Sequence, residues 1–382
     1  MIHSLFILGG HIQALGLARQ AKRKGLAVTL IIPDGFSVAR FSRYIESAVI
    51  CRNEIKLTNY LTAKADLSIL LFPTSDEYID YLLQNYTWLK ERFTIALPET
   101  ETVKLFADKR LTYSFAHDHS IPHPWSLFPK SYEDAKAMAD SVVYPVIIKP
   151  AVMYDFHKRF GKKAYLCENK DSLLLKMATL SSLGYPINGL IIQEFLSGGA
   201  KNLFSYGFFS VNGVVKSSII VNRIRQNPMD FGNSTTFAVT TDIPEIKESA
   251  ERIIHLTNYT GMGEVEFMYD NGEYKFLEIN TRAWKWHTIS EGMGFSFISD
   301  WIDWLNLGDI DLQKENNKSF AWVERFTDFA VIAKGLFNGQ MRLKDVFKSY
   351  RRRKVYAVWT LKDPLPAIMY LLMSPFLFIK RY

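Results

Sequence analysis

The run GEVEFMYDNGEYKFLEINTR, residues 263–282, reads as two strands joined by a turn. Side chains in a strand alternate faces. Glu264 and Glu266 therefore share a face of one arm, and Glu278, Asn280 and Arg282 share a face of the other. Whether the two sets meet depends on the turn. A two-residue Asn271-Gly272 loop would put Glu266 opposite Leu277 and split the acids between faces. A three-residue Asp270-Asn271-Gly272 loop, with Gly272 left-handed, puts Glu264 opposite Glu278 and Glu266 opposite Phe276. The three-residue loop is expected, because a slip of one residue would bury carboxylates in the core. Val265, Phe267, Leu277 and Ile279 then share the apolar face.

Carboxylates and an amide oxygen converging on one face repel each other unless a cation lies between them. They are hard oxygen donors of the kind Mg²⁺ takes, one or two carboxylates at a time, beside phosphate oxygens and water. Arg282, further along that face, is suited to a bidentate grip on phosphate or on a substrate carboxylate. A solvated hairpin face laced with salt bridges would show the same spacing.

Upstream, short apolar runs alternate with helical patterns. Leu5 to Leu8 is a strand, Gly9-Gly10 follows, a helix runs from Ile12 to Lys24, and Val28 to Ile32 is the next strand. Leu67 to Phe72 is another, ending in Pro73-Thr74-Ser75-Asp76 before a helix. Such alternation predicts a parallel sheet, whose ligands bind beyond the carboxyl ends of the strands. Asp76 sits at such an end and is a candidate substrate contact. Glycines at 9, 10 and 16 do not make G-x-G-x-x-G, and no acid ends the second strand, which disfavours a dinucleotide site. Val146 to Pro150 is a strand carrying Lys149, Gly189 to Leu196 another, and Phe204 to Asn222 a hairpin around Asn212-Gly213.

The 382 residues are 48% apolar and 22% charged with net charge +7, a folded chain of more than one unit that is open to anionic partners. Cys51 and Cys167 lack partners at metal-ligand spacing, and a reducing, cytoplasmic setting is the simpler expectation. The basic run Arg351-Arg352-Arg353-Lys354 reads as a solvated face. Leu365 to Ile379 is apolar with basic flanks, open to peripheral contact with anionic lipid. Pro366 and Pro375 argue instead for a terminal segment packed on the domain.

Glu266, then the run Glu278-Ile-Asn280-Thr-Arg282 followed by His287, resembles the magnesium-ligand signature of the ATP-grasp enzymes, especially biotin carboxylase and carbamoyl-phosphate synthetase. Asp108-Lys109 is similar to that family's first ATP-contacting lysine. Tyr144 to Pro150 is similar to the strand whose lysine, here Lys149, reaches the phosphates. Gln193-Glu194-Phe195-Leu196 is similar to the hinge that pairs with adenine. The resemblance covers roughly residues 1–300.

The resemblance implies an α/β fold with a Rossmann-like parallel-sheet domain (1–105), a lid subdomain (106–195), a metal and nucleotide subdomain (196–310) and a C-terminal extension (311–382). It implies ATP and Mg²⁺ or Mn²⁺ as cofactors, Glu266, Glu278 and Asn280 as metal ligands, and a small-molecule carboxylate and amine as substrates, with no nucleic-acid partner. An acyl phosphate would form and an amine would displace phosphate. Arg223 and Arg225, two apart on a strand, are cations for the charge that develops in phosphoryl transfer, Arg225 being preferred.

Three departures stand out. The loop after Lys149 (Met153 to Lys163) is basic and aromatic where many relatives are glycine-rich. Trp286 stands where biotin carboxylase has its glutamate base, which leaves Trp286 and His287 as candidate substrate contacts. No acidic ribose ligand is evident in Ser197 to Asn202. The combination resembles single-chain bacterial ligases such as D-aspartate ligase, which join an amino acid to a peptidoglycan precursor. A degenerate nucleotide-binding member serving as a sensor or interaction module is the alternative.

Overall fold

The computed structural model describes residues 1–152, 156, 159–229, 234–310 and 319–381, the last seven without their side chains. Five parallel strands come first: β1 (Ser4–Leu8), β2 (Ala27–Ile32), β3 (Ser47–Ile50), β4 (Ile69–Pro73) and β5 (Thr94–Ile95), in the order β3-β2-β1-β4-β5. The helix Ile12–Arg23 lies against this sheet because Ala14, Leu15, Leu17, Ala18 and Ala21 recur at helical spacing and are buried.

A small antiparallel sheet follows, made of β6 (Ser126–Leu127), β7 (Val146–Pro150), β8 (Tyr165–Cys167) and β9 (Leu190–Glu194), in the order β6-β9-β7-β8. The third sheet has seven strands: β10 (Leu203–Val211), β11 (Val214–Asn227), β12 (Ser234–Thr241), β13 (Gly261–Asp270), β14 (Glu273–Asn280), β15 (Phe320–Val323) and β16 (Arg353–Tyr356). Its order is β14-β13-β10-β11-β12-β15-β16, so strands after residue 311 complete the edge of the sheet that carries the acids.

The parallel sheet and the seven-stranded sheet share a core. Trp301, on the helix Phe297–Leu307, packs edge-on against Phe72 (5.4 Å between centroids) and tilted against Phe209 (5.9 Å). Burial of one such aromatic contributes about 2–3 kcal/mol. A polar knot ties the same units at another point. The buried Asp363 carboxylate accepts from Arg19 Nε (3.0 Å), Ser42 Oγ (2.6 Å) and the Arg43 amide (3.0 Å).

Two expectations need correction. The β13–β14 turn is the two-residue Asn271-Gly272 loop, with φ of +49° and +89°, and Asp270 pairs Glu273. The acids still share a face, because Leu277 bulges out of register between the Phe267↔Phe276 and Glu266↔Glu278 pairs. Glu266 thus faces Glu278 and Glu264 faces Asn280, while Phe276 rather than Leu277 joins Val265, Phe267 and Ile279 in the core. The second correction concerns the tail, where a helix spans Leu365–Arg381 through both prolines. Pro366 stands at its second residue, where a missing N–H costs nothing.

Candidate active site

Neighbouring strands and one helix bring the site together. On β13 and β14, the Asn280 amide donates to Glu264 Oε2 (3.0 Å) and Glu266 Oε1 (3.1 Å). Arg223, on β11, pairs with Glu266 Oε2 at 2.7 Å. Trp286 Nε1 donates to Glu264 Oε1 at 2.8 Å. Gly207 on β10 is needed for this: a Cβ there would lie 2.4 Å from the Trp284 ring and 2.8 Å from that of Trp286. Burial, with the like charge of Glu266, pushes Glu264 up to about 7, against the pull of Arg223.

From the helix Lys109–Asp118, the Lys109 ammonium is ion-paired with Glu278. It holds the Glu278 carboxyl well below the usual carboxylate range, and burial is the opposing influence. Tyr113, one turn on from Lys109, donates to the bulged Leu277 carbonyl (2.9 Å) and accepts from Lys149 Nζ (2.8 Å). The bulge therefore supplies the acceptor that fixes the phenol under Lys149. Burial, and then the positive charge of Lys109, hold Lys149 well below the usual lysine range. Burial also lowers Lys163, with Glu278 and Glu266 opposing it. The two lysines are thus driven apart, Lys109 upward by its acid and Lys149 downward by burial and then by its neighbour.

Arg282 Nε meets Asp76 Oδ1 at 2.5 Å, so the residue expected to grip phosphate or a substrate carboxylate and the residue expected to contact substrate are paired with each other, just beyond the ends of β14 and β4. At the hinge, Gln193 is buried and donates to Ser126 Oγ (2.7 Å). The Glu194 amide donates to the Trp125 carbonyl (3.0 Å), and its carboxylate takes Lys275 Nζ (2.7 Å). Phe195 and the buried Leu196 continue beyond the strand. Met153-Tyr154-Asp155 and His157-Lys158, in the basic aromatic loop, lie outside the described residues.

Three expected contacts sit elsewhere. Arg225 is buried against Asp328 through two bonds of 2.8 Å, donates to Ser349 Oγ (3.0 Å) and lies 4.1 Å from the centre of the Phe237 ring. Two residues along a strand is about 6.6 Å, and the pairing of β11 with β12 shifts between Asn222 and Arg225. Arg223, and not Arg225, is the arginine of this strand that meets the acid face. Trp286 braces Glu264 from the buried side instead of lining a substrate wall. His287 is fully buried against the first helix, its Nε2 3.2 Å from the Gln13 carbonyl, and burial pushes it down to about 4. Tyr113 was missed by sequence reading, although its place four residues after Lys109 puts both on one helix face.

Among the described residues, no three acidic, histidine or cysteine side chains are placed to hold a metal by themselves. The donor chemistry nonetheless fits a phosphate-bound cation. Glu266 and Glu278 are paired across strands, Glu264 is held up toward neutrality by burial and then by an adjacent negative charge, and Asn280 adds an amide oxygen.

Residues 106–284 match the family described as the ATP-grasp domain. The chain carries an ATP-grasp domain. Biotin carboxylase of Pseudomonas aeruginosa is 26% identical over 219 residues, covering 52% of this chain and 45% of that protein. The arginine-specific carbamoyl phosphate synthase large chain of Bacillus subtilis is 21% identical over 215 residues, covering 55% and 20%. The chain therefore spans less than half the length of these relatives.

Biotin carboxylase from Campylobacter jejuni superposes with a TM-score of 0.62 at 18% identity, covering 78% of this chain and 70% of that one. N5-carboxyaminoimidazole ribonucleotide synthetase from Thermus thermophilus gives 0.55 at 16%, covering 74% and 72%. These likenesses show an ATP-grasp fold, with a parallel sheet ahead of an antiparallel one and a seven-stranded one that is antiparallel but for its β15–β16 pair. A third neighbour, the biotin carboxylase domain of Hydrogenobacter thermophilus 2-oxoglutarate carboxylase (TM-score 0.61, 17% identity, 82% and 73% covered), was crystallised with MgADP and bicarbonate.

Proposed function

We propose that this protein is an ATP-dependent, ADP-forming ligase that activates a carboxylate as an acyl phosphate and joins it to an amine. The observation that carries the reading is the meeting of Glu266, Glu278 and Asn280 on one sheet face with Lys109 and Lys149 from the lid side. Mg²⁺ or Mn²⁺, held by Glu266, Glu278 and Asn280 together with ATP phosphate oxygens, would neutralise charge on the transferring phosphoryl group. Lys109 and Lys149 supply point charges to the polyphosphate, Tyr113 positions Lys149, and the Gln193–Leu196 segment lies where adenine would dock.

A substrate carboxylate oxygen attacks the γ-phosphorus while the bond to the β–γ bridging oxygen breaks, releasing ADP. The amine nitrogen then attacks the acyl carbon, phosphate leaves, and the nitrogen gives up a proton. Arg223 and Arg282 meet the negative charge that builds in these steps, one beside Glu266 and one beside Asp76. Amino-acid ligation, including attachment to a peptidoglycan precursor, is the substrate class favoured by the Glu-x-Asn-Thr-Arg run combined with tryptophan in place of the carboxylase base.

The test is a panel of amino acids with Mg·ATP and hydroxylamine, read for hydroxamate and ADP. Hydroxamate with ADP supports the reading. AMP without hydroxamate overturns it, and nucleotide binding without turnover on any acid points to a sensor.

A further inference from the structure

We infer that the C-terminal face is a docking surface for an anionic lipid bilayer. Nothing in the inference depends on the ligase chemistry. Ten large apolar side chains between residues 329 and 372 are exposed, among them Phe337 at 92%, Leu361 at 85%, Phe329 at 74% and Phe347 at 70%. They sit on elements whose inner faces are already used. The helix Arg325–Phe337 buries Asp328, Val331 and Gly335 and leaves Phe329, Ala333 and Phe337, at spacings of four, outside. The helix Leu343–Tyr350 turns Ser349 and Tyr350 inward onto Arg225 and Asp328 and shows Leu343 and Phe347. The helix Leu365–Arg381 packs Tyr370 on Phe326 (5.0 Å) and exposes Ile368, Leu371 and Leu372. The first of these helices touches the second through Asp328 and Tyr350 and the third through Phe326 and Tyr370, and apolar exposure repeated on three contacting helices is the mark of an interaction surface.

Charge identifies the partner. Residues 325–374 hold ten arginines and lysines and three acids, an excess of seven that equals the net charge of the whole chain. Two of the three acids are spent inside, Asp328 on Arg225 and Asp363 on Arg19, so Asp345 is the one acid of this segment at the surface. Lys344 and Lys348 flank Phe347 on its own helix, and Lys334, Arg351, Arg353 and Lys362 are exposed elsewhere in the same segment. Exposed aromatic and leucine side chains accompanied by an excess of cations match the headgroup boundary of an anionic membrane. Among the described residues no helix is long and apolar enough to cross a membrane.

Co-sedimentation of the full chain tests this. Vesicles of phosphatidylcholine with about one-third phosphatidylglycerol should carry the protein down at roughly 0.1 M salt, and vesicles of phosphatidylcholine alone should not. Phe337→Ser and Phe347→Ser should each weaken partitioning by about 10-fold. Lys344→Glu with Lys348→Glu should weaken it by about 100-fold or more. All four positions are exposed, so thermal unfolding and ATP turnover should stay at parental values and report intact folding. Brominated lipid should quench Trp359, and Trp359→Phe should remove that part of the quench. Failure to sediment with the anionic vesicles overturns the inference. So does sedimentation indifferent to both phenylalanine changes, which would mean charge alone. Phenylalanine-dependent self-association without lipid binding would overturn it in favour of a second copy, and tighter retention on duplex DNA than on vesicles would overturn it in favour of nucleic acid.

Discussion

Arg223 and Arg225 stand two residues apart on β11, and both are buried against a carboxylate, yet their surroundings differ in kind. Asp328 has every direction filled, by Arg225 Nε and Nη2, Thr236 Oγ1 and the Tyr350 hydroxyl, at 2.7–2.8 Å. The Arg223 pair is incomplete. Its Nε has no partner among the described residues, Glu266 lies against a second acid that resists ionisation, and Lys149 across the cleft resists protonation. A saturated ion pair needs nothing further and holds the fold. An unsaturated one, with charges displaced from their usual states, suits the charged ligand proposed above.

Breaking the complete pair should have the largest effect. Asp328→Ala strands a buried guanidinium and should cost about 3–5 kcal/mol in urea unfolding, with turnover per folded molecule retained. Equal losses of stability for Asp328→Ala and Arg223→Met would erase the distinction.

Next comes the pH dependence of the acid face. Unfolded Glu264 loses its proton near its ordinary 4.5, whereas folded Glu264 keeps it to about 7. The folded state therefore binds more protons in that window, and this group's contribution falls as pH rises from 4.5 to 7. Glu264→Gln should remove the loss, giving a gain at pH 8 over pH 4.5 of at most about 3 kcal/mol in metal-free buffer. His287 runs the other way: its ordinary 6.5 drops to about 4. Stability from it is lost as pH falls from 6.5 to 4, because only the unfolded chain takes up the proton. The two slopes oppose each other, so Glu264→Gln should also unmask acid sensitivity in urea titrations between pH 4.5 and 6.5.

Arg223→Met should lower kcat about 100-fold, as loss of one charge-stabilising donor does elsewhere, with the Mg·ATP thermal shift reduced. Arg225→Met should change the unfolding midpoint instead. The smallest effect is expected at Tyr113→Phe. It removes the hydroxyl under Lys149 and should raise the KM for ATP about 10-fold, near 1.4 kcal/mol, with little change in unfolding.

The same comparison shows how far the residues could be read in advance. The gathering of Glu264, Glu266, Glu278 and Asn280 followed from strand alternation and the cost of burying carboxylates. The way it is achieved did not. Asn271-Gly272 signalled its two-residue turn openly, but the bulge at Leu277 that restores the phase leans on Tyr113, 164 residues away along the chain. No local pattern carries such a contact. Arg225 was preferred to Arg223 for a similar reason: spacing puts them on one strand, and only the helix Arg325–Phe337, bringing Asp328, separates their roles. The burial of His287 has no local signal, because it depends on how the first helix packs.

The knot at Asp363 bears on how the molecule can move. With Arg19, Ser42 and Arg43 from the first unit all bonded to one carboxylate beyond β16, and Trp301 wedged between Phe72 and Phe209, the parallel sheet and the acid-bearing sheet are riveted at two separated points. Two rivets remove the hinge that one would leave. If the proposed ATP-dependent reaction holds, opening for nucleotide entry would fall to the four-stranded sheet β6-β9-β7-β8, and cutting the rivet with Asp363→Ala would let a second, unproductive gape compete with it.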